Sequence, residues 1–375
     1  MTHADLPGEI FASSPVVYAA GDEYQIFIIP ASRTVMWCRI GQNEYYDDSN
    51  GVLRSETMLH KISVPAAELD AAGEYTIGYR RFQKRVPYFN EADLEGEVTF
   101  KFRKVASETP KFFLLSDVHN RIESGISAAA SFSGMDFLVI NGDIHDNSES
   151  PERLLLSQQI AARVTGGEIP VVFSRGNHDL RGAWAEKQAE FSPTVNGRSY
   201  YTFRLGNIWG LVLDCGEDKK DESKEYGGVN CCHAFRQRET RFLEKVIADA
   251  AGEYNAPGVK YRLIISHIDF SAPQRAPFDI EYDIYSKWCE LIRENIKPTA
   301  YFYGHVHKNY ITLPGSERDI FDQGAPAVTA GLPERGEGKT GYIGAAVTLS
   351  SEKLHVDFVN QSGETVDSGE APLEH

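Results

Sequence analysis

The stretch Ser116-Asp117-Val118-His119 follows directly on the apolar run Phe112-Phe113-Leu114-Leu115, and this arrangement recurs four more times along the chain. Each time, an apolar run typical of a buried strand ends at a short segment that carries Asp, Asn or His. The further segments are Gly142-Asp143, Arg175-Gly176-Asn177-His178-Asp179, Ser266-His267 and Gly304-His305-Val306-His307. Because ligands gather beyond the carboxyl ends of parallel strands in α/β sheets, the repetition predicts that the five segments meet at one site.

From Lys111 onwards, patterns of buried strands alternate with patterns of helices. Helices are predicted over residues 125–131, 151–164, 234–251 and 284–296. Continuous apolar strands separated by helices indicate parallel strands that are covered on both faces, and therefore an α/β fold. A hairpin turning at Gly206-Asn207 is predicted to lie in a second sheet, and the strands after residue 327 are predicted to close that sheet.

Residues 15–102 show a different, all-β pattern. Apolar and polar residues alternate over 24–29, 34–40, 75–82 and 98–102, with turn-forming residues between these runs, including those at 47–51. This density of short strands predicts a seven-strand sandwich of immunoglobulin or fibronectin type. The predicted division is a sandwich domain over 1–106, a second domain over 107–372, and a remnant of a cloning site and affinity tag at 373–375.

Length and charge limit the classes of partner. A chain of 375 residues is long enough for two cores. The formal net charge of −16 argues against a broad surface for long nucleic acids, which need clustered Lys and Arg. A small phosphate ester stays compatible with this charge, because metal ions and one arginine supply positive charge locally. Oligomeric state cannot be read from these features.

Cysteine usage and hydropathy favour a cytoplasmic protein. The five cysteines are odd in number and scattered, which favours reduced thiols over disulfides. The N-terminus has neither the basic start nor the apolar run of a signal peptide. Nothing approaches the ~18 apolar residues of a membrane span.

The residue types at the five strand ends indicate a metal site. Carboxylate, amide oxygen and imidazole ligands together suit Mn, Fe or Zn, and a hydrolytic site with two metal ions needs such ligands on rigid supports. In Asp117-Val118-His119 and His305-Val306-His307 the ligands are two residues apart. In extended chain this spacing turns both side chains to the same side.

The order of motifs, D-x-H, G-D, G-N-H-D, H and G-H-x-H, resembles the calcineurin-like metallophosphoesterase superfamily over roughly residues 111–360. The resemblance implies a four-layer α+β sandwich, in which helices flank two mixed sheets. It also implies two divalent or trivalent transition-metal ions and the following ligands: Asp117, His119 and His307 for one metal, Asn177, His267 and His305 for the other, and Asp143 as the bridge.

Three further residues receive roles from the same resemblance. His178 matches the histidine that protonates the leaving group or stabilises the transition state. Arg175 stands where the phosphoprotein-phosphatase branch has an arginine that binds phosphate. Asp179 is expected either to hold the imidazole of His178 or to cap a turn.

The sandwich-plus-phosphoesterase layout is similar to that of purple acid phosphatases, with two departures. That branch has no histidine at the position of His119, and it has a metal-bound tyrosine where this chain has Asp146. We therefore expect no colour from charge transfer between tyrosinate and iron.

The sequence thus predicts a dinuclear phosphoesterase that hydrolyses small phosphomonoesters or phosphodiesters by attack of a metal-bridging hydroxide. Phosphoprotein phosphatase activity is one alternative, and a non-catalytic metal-binding scaffold of the same fold is another. Residues 216–232 and 314–340 are expected to form loops that determine specificity. The first of these loops is predicted to be solvated, with a lid over the site as the alternative.

Overall fold

The computed structural model describes residues 6–48, 51, 55–336 and 338–373. The N-terminal five residues, part of the turn predicted at 47–51, and the last two residues of the predicted tag remnant lie outside this range.

Seven strands of the N-terminal region form the sandwich that the sequence predicts, with one short helix, α1, at Ala66–Ala72. The strands are β1 (Val16–Ala20), β2 (Glu23–Ile28), β3 (Thr34–Ile40), β4 (Asn43–Tyr46), β5 (His60–Pro65), β6 (Glu74–Lys84) and β7 (Glu91–Lys101). One layer contains β1, β2 and β5, and the other has the order β4-β3-β6-β7. Apolar side chains of both layers, among them Ile26, Ile62, Met36 and Ile77, belong to one buried cluster.

The sandwich is not separated from the rest of the chain. Strand β1 pairs in parallel with β10 (Pro170–Ser174), with Val17 opposite Pro170 and Tyr18 opposite Val171. One sheet therefore runs from the sandwich into the second half of the molecule. The predicted boundary at residue 106 falls between β7 and the next strand along the chain, and it stays a prediction.

The other strands lie in the two large sheets. They are β8 (Lys111–Leu115), β9 (Phe137–Asn141), β11 (Tyr201–Leu205), β12 (Ile208–Leu213), β13 (Tyr261–Ser266), β14 (Ala300–Tyr303), β15 (Tyr310–Thr312), β16 (Ala327–Thr329), β17 (Leu332–Pro333), β18 (Tyr342–Leu349), β19 (Lys353–Asn360) and β20 (Thr365–Pro372). The first sheet has ten strands in the order β20-β19-β18-β8-β9-β10-β1-β2-β5, with β17 beside β18. The second has six, in the order β11-β12-β13-β14-β16-β15.

Helices cover the outer face of each large sheet. They are α2 (Ile122–Ala130), α3 (Pro151–Leu154), α4 (Leu156–Thr165), α5 (Gln188–Phe191), α6 (Cys232–Ala248) and α7 (Tyr282–Leu291). Phe112 and Leu114 of β8 face the core between the sheets, whereas Phe113 and Leu115 face the layer of α2 and α4. Both faces of β8 are covered, which explains why its sequence is apolar at successive positions. The four-layer fold is confirmed.

Two details of the sequence prediction are wrong. Strands β18, β19 and β20 lie in the first sheet, where β18 pairs antiparallel with β8, and they do not close the second sheet. Alternating polarity identifies a strand but not the sheet edge that it joins. The predicted helix over 284–296 is α-helical only to Leu291, and a π-helical turn continues it to Ile296.

The five cysteines are free thiols, as predicted, and only Cys231 is exposed. Among the residues that the structure describes, no helix is long and apolar enough to cross a membrane.

Candidate metal centre

The five motif segments meet where parallel strands of the two large sheets end. Asp117, Asp143 and Asn177 follow β8, β9 and β10 in the first sheet, and His267 and His305 follow β13 and β14 in the second. The convergence that the sequence predicts is therefore present. The site lies between the carboxyl ends of two parallel strand groups.

The local backbone differs from the extended chain that the i, i+2 spacing suggested. Asp117, His119, Asp143, His305 and His307 all have positive φ, between +48° and +69°. Left-handed backbone costs L-residues about 1–2 kcal/mol each, and such strain clusters at functional sites. The chain thus turns sharply after each strand, and these turns bring the side chains into the site.

Asp117, His119 and His307 form one candidate ligand cluster. The Nε2 atoms of the two histidines lie 2.9 Å apart, and Asp117 Oδ1 lies 3.3 Å from His307 Nε2 and 3.9 Å from His119 Nε2. Asp146 accepts a hydrogen bond from His119 Nδ1 at 2.9 Å, which leaves Nε2 of that ring free for a metal. Asp146 therefore orients the ring of His119.

The unpaired oxygen of Asp117 fits a cation. Asp117 is fully buried, and its Oδ2 accepts from the hydroxyl of Ser116 and the backbone amide of His305. Its Oδ1 has no donor in hydrogen-bonding geometry among the described residues. A buried carboxylate oxygen without a partner is costly, and the nearest groups are imidazole nitrogens. These residues would hold a divalent ion, which would supply the positive charge that Asp117 Oδ1 lacks.

Asp143, His267 and His305 form the second cluster. Asp143 Oδ2 lies 3.1 Å from His267 Nε2, and the Nδ1 of that ring donates to the carbonyl of Asn141 at 2.7 Å. Asp143 also belongs to a third group, with His119 and His178. Asp143 is therefore shared by two of the candidate ligand groups.

The amide of Asn177 also faces the second cluster. One of its terminal atoms lies 3.0 Å from His305 Nδ1 and 3.3 Å from Asp143 Oδ2. An NH₂ group there satisfies both neighbours by hydrogen bonding, whereas an oxygen there needs a shared cation. Both neighbours are candidate metal ligands, so the position of Asn177 fits its predicted place in the ligand set.

The buried carboxylates and histidines of the site shift one another's pKa values. Burial acts to lower the pKa of His267, but the carboxylates of Asp143 and Asp117 outweigh it and raise that pKa to about 10. Burial would raise the pKa of Asp143, yet the neighbouring His267 holds it below its usual range. Burial and repulsion from His267 lower the pKa of His305 to about 4. The two buried carboxylates thus attract positive charge, either as a proton or as a metal ion.

His178 lies at the rim of the site, but Asp179 does not hold its ring. The backbone amide of His178 donates to Asp143 Oδ1, its Nδ1 donates to the carbonyl of Asp146, and its Nε2 lies 3.2 Å from Arg181 Nη1. The carboxylate of Asp179 instead accepts from the Gly176 amide at 2.7 Å. The predicted contact with the His178 imidazole is therefore wrong, and the turn-capping alternative fits.

Arg175 points to other partners. Its guanidinium pairs with Asp214 at 2.7 Å and lies over the ring of Phe235, and among the described residues no ion pair or hydrogen bond joins it to a candidate metal ligand. The expected approach to the phosphate is therefore not seen. Arg181, which the sequence prediction missed, contacts His178 instead.

Two acidic residues of the 216–232 loop anchor this second arginine. Glu217 accepts from Arg181 Nε and Nη2 at 2.8 and 2.9 Å, and Asp218 lies 3.5 Å from Arg181 and 3.8 Å from His305 Nε2. In the sequence, Arg181 stands three residues after His178, and the acidic pair lies in a distant loop. No local sequence pattern indicates that these residues contact one another. The loop therefore contacts the site directly.

Glycines at two motif positions allow the backbone to approach the ligands closely. A Cβ on Gly304 would lie 1.8 Å from Ser116 Oγ and 2.6 Å from Asp117 Oδ2. A Cβ on Gly176 would lie 2.1 Å from Asp143 Oδ1. A side chain at either position would displace a carboxylate of the site.

Comparison with known proteins agrees with this geometry. A family model described as calcineurin-like phosphoesterase matches residues 110–309, which is more than half of the chain. Serine/threonine-protein phosphatase CPPED1 of Pongo abelii is 26% identical over 184 residues, or 46% of this chain and 54% of that protein. The Rattus norvegicus protein of the same name is 28% identical over 159 residues, or 40% and 46%. The chain therefore matches only about half the length of these curated relatives.

A solved structure is similar over nearly the whole chain. Purple acid phosphatase PPD1 from yellow lupin (Lupinus luteus) seeds superposes with a TM-score of 0.59 and 14% sequence identity, covering 96% of this chain and 74% of that one. At this identity the likeness concerns the fold. It extends over the sandwich as well as the phosphoesterase half, in agreement with the layout that the sequence predicts.

Proposed function

This chain belongs to the calcineurin-like phosphoesterase family, and from that membership we propose that it hydrolyses small phosphomonoesters or phosphodiesters at a centre for two metal ions. The observation that carries the proposal is the buried, unpaired Oδ1 of Asp117, which lies among the Nε2 atoms of three histidines: His307 at 3.3 Å, and His119 and His267 at 3.9 Å. Such an arrangement is costly without a cation and favourable with one.

The family implies divalent metal ions, and the donor atoms fit them. Asp117, His119 and His307 would hold one ion, Asn177, His267 and His305 would hold the other, and Asp143 would be shared between them. Imidazole and carboxylate donors together suit Mn, Fe or Zn. When bound, such ions make water more acidic and offset negative charge on phosphate oxygens.

Residues of the chain itself would protonate the leaving group. Hydrolysis breaks the bond between phosphorus and the ester oxygen, joins the oxygen of water to phosphorus, and leaves a proton on the alcohol. His178 would supply that proton from Nε2 in its doubly protonated form, once the leaving oxygen has replaced Arg181 Nη1 at that atom, while the Asp146 carbonyl accepts from Nδ1. Arg181, held by Glu217, positions this histidine and adds positive charge at the rim.

Phosphoprotein phosphatase activity is the second candidate. It is supported by the curated relatives, which are named serine/threonine-protein phosphatase. The two candidates differ in the size of substrate that the site accepts, so one panel of substrates separates them.

The test combines metal removal with that panel. Protein depleted by a chelator is assayed with nitrophenyl phosphate, bis-nitrophenyl phosphate and a phosphoseryl peptide, before and after addition of Mn²⁺ or Zn²⁺. We expect loss of activity on depletion, recovery with metal, and faster turnover of the small esters. Peptide turnover above that of both small esters would favour the second candidate. Full activity in protein with less than about a tenth of a metal ion per chain would contradict the metal centre.

A further inference from the structure

A second cavity, of about 100 Å³, lies between the end of β10, the loop that follows α5 and the start of α6. Its charged, hydroxyl and aromatic lining residues are Arg175, Ser192, Thr194, Arg198, Ser199 and Phe235. Among the residues that the structure describes, neither an acidic side chain nor a proposed metal ligand lines it. In a chain with a net charge of −16, this cavity is therefore a basic site separate from the metal centre.

Arg175 has its guanidinium at the wall of this cavity. The group lies 5.6 Å from the centre of the Phe235 ring, and its Nη2 lies 2.7 Å from Asp214 Oδ2, which also accepts from the Ser199 hydroxyl at 2.5 Å. Phe235 and Ser199 both line the cavity. Within the described part of the chain, Asp214 is the only ionic partner of Arg175 within 4.0 Å. A guanidinium has five N–H donors, so Arg175 keeps donors for a ligand while the ion pair stays in place.

Arg198 brings a second positive charge to the cavity on a tight turn. The turn residues Asn196 and Gly197 have φ of +52° and +70°, and Val195 and Arg198 exchange backbone hydrogen bonds at 3.1 and 3.0 Å. Two left-handed residues between such a pair are typical of a type I′ turn, for which Asn-Gly is a preferred sequence. The Arg198 side chain is exposed, and no acidic group of the described residues lies within 4.0 Å of it. Its charge is therefore left for a ligand.

The Thr194 hydroxyl is a third donor in the lining. Its oxygen accepts from Nζ of Lys61, on β5 of the sandwich, at 2.9 Å. An ammonium group can only donate, so the hydroxyl keeps its own proton for a further acceptor. Gln25, on β2, also exchanges hydrogen bonds of 2.6 and 3.1 Å with the backbone of Thr194. The sandwich therefore fixes this part of the cavity wall.

The size of the cavity and its donors favour a phosphate group as the ligand. Its volume is several times the ~10–15 Å³ that one water molecule needs, which leaves space for a small oxyanion but not for a nucleotide. Guanidinium groups bind two oxygens of a phosphate at once. Two arginines and a hydroxyl, each from a different segment, suit an ion with four oxygens better than a carboxylate with two.

We propose that this cavity binds a phosphate group and is a second anion site, separate from the metal centre. Arg175, Arg198 and Thr194 donate to its oxygens, and Asp214 keeps its ion pair with Arg175. The phosphate comes either from inorganic phosphate or from a larger molecule whose remainder stays outside the cavity. The site does not depend on the proposed hydrolysis.

The test measures binding without turnover. The full chain is treated with a chelator, dialysed, and titrated calorimetrically at constant ionic strength with inorganic phosphate, O-phosphoserine and acetate. We expect saturable binding of phosphate with a Kd of about 1 mM or lower. Equal binding of O-phosphoserine would identify a larger ligand as a possible source, and exclusion of O-phosphoserine would identify free phosphate. Acetate should bind at least about tenfold more weakly, because it lacks two of the four oxygens.

Two variants and one control assign the binding to the cavity. Arg198→Gln removes an exposed charge, and we expect the Kd for phosphate to rise at least about tenfold, since hydrogen bonds between charged groups are the stronger ones. Thr194→Val keeps the shape of the side chain without its hydroxyl, and the Kd should rise about threefold or more. Arg241→Gln removes an exposed arginine from α6, outside the cavity lining, and should keep the parental Kd.

The variants separate a built site from general attraction of anions. Weaker phosphate binding in Arg198→Gln or in Thr194→Val, with the parental Kd in Arg241→Gln, supports the proposal. Absence of saturable binding in the parent, an unchanged Kd in both cavity variants, or an equal loss in Arg241→Gln would overturn it, as would acetate that binds as tightly as phosphate. Because no step of this test uses turnover, failure of the phosphoesterase function would leave its outcome unaffected.

Discussion

The Nε2 atoms of His119 and His307 lie 2.9 Å apart, although 188 residues separate the two histidines along the chain. His119 follows β8 in the ten-stranded sheet, and His307 follows β14 in the six-stranded sheet. The first candidate metal position is therefore built from both sheets. A metal ion bound there would join the two halves of the four-layer fold, and metal binding should stabilise the protein against unfolding.

Replacing Asp143 with Asn should remove metal and activity together. The carboxylate faces both ligand clusters, and an amide keeps its shape without its charge. Because even the outer partners of metal ligands are worth about 10–100-fold in affinity or rate, we expect a loss of at least about 100-fold in kcat on nitrophenyl phosphate. Elemental analysis of the purified protein measures the metal. Asp367→Asn, on the exposed strand β20, is the control, and parental turnover in Asp143→Asn would show that the residue does not bridge.

Replacing His178 with Gln should leave the metal in place and slow the reaction. Its side chain lies at the rim, and its proposed task is to protonate the leaving oxygen, an effect typically worth ~10²–10⁴-fold. The loss should be larger for alkyl phosphates than for nitrophenyl phosphate, because nitrophenolate leaves without a proton. Equal losses on both substrates, with unchanged metal content, would argue for transition-state stabilisation instead.

Arg181 and Arg175 should respond differently to replacement by Met. The Arg181 variant loses the contact with His178, so we expect kcat to fall about 10–100-fold with metal retained. The Arg175 variant leaves the buried carboxylate of Asp214 without its cation, which should lower the free energy of unfolding by roughly 3 kcal/mol. Denaturant unfolding and steady-state kinetics of both variants measure the two effects. A large rise in KM for Arg175→Met alone would restore the expected phosphate-binding role.

Metal affinity should rise with pH. Burial acts to lower the pKa of His267, but Asp143 and Asp117 raise it to about 10, and a metal ion binds only the neutral ring. Between pH 7 and 9 binding should therefore release about one proton, and the affinity for Mn²⁺ should rise about tenfold per pH unit. Calorimetric titration in two buffers with different ionisation enthalpies measures the proton. Affinity that is constant over this range would contradict the coupling.

The raised pKa of His267 should make the metal-free protein less stable as the pH rises, whereas metal binding becomes stronger over the same range. When a group has a higher pKa in the folded state than in the unfolded state, its protonation stabilises the fold. That stabilisation is complete at pH values below the pKa of the unfolded state, which is about 6.5 for histidine. This contribution is lost as the pH rises towards 10. Chelator-treated protein should therefore unfold more easily at pH 9 than at pH 6.5, as measured by chemical denaturation.

A fragment of residues 107–372 should be less stable than the full chain. Removing the sandwich removes β1, which pairs in parallel with β10, and this leaves an edge of the ten-stranded sheet without its partner. Unpaired sheet edges promote aggregation. Size-exclusion chromatography and thermal unfolding of the fragment test this, and a monomer with the full-chain Tm would support independent domains.

The sequence alone identified most of the fold and the types of residue at the site. Apolar runs located β8, β9, β10, β13 and β14, because parallel strands covered on both faces need apolar residues at successive positions. The Asp, Asn and His residues after these strands predicted where ligands would converge, because the carboxyl ends of parallel strands share an edge. Alternating polarity in the N-terminal region predicted the sandwich.

Only the tertiary structure decided which partner each side chain takes. Arg175 pairs with Asp214, Asp179 accepts from the Gly176 amide, and Arg181 contacts His178. These three residues lie within seven positions of the sequence, yet their partners differ. The residues that fix these choices, Asp214 and Glu217, come from a segment well separated in sequence. Local patterns record whether a residue is buried or ends a strand. They do not record contacts between distant segments, and those contacts determine the charge and geometry of the site.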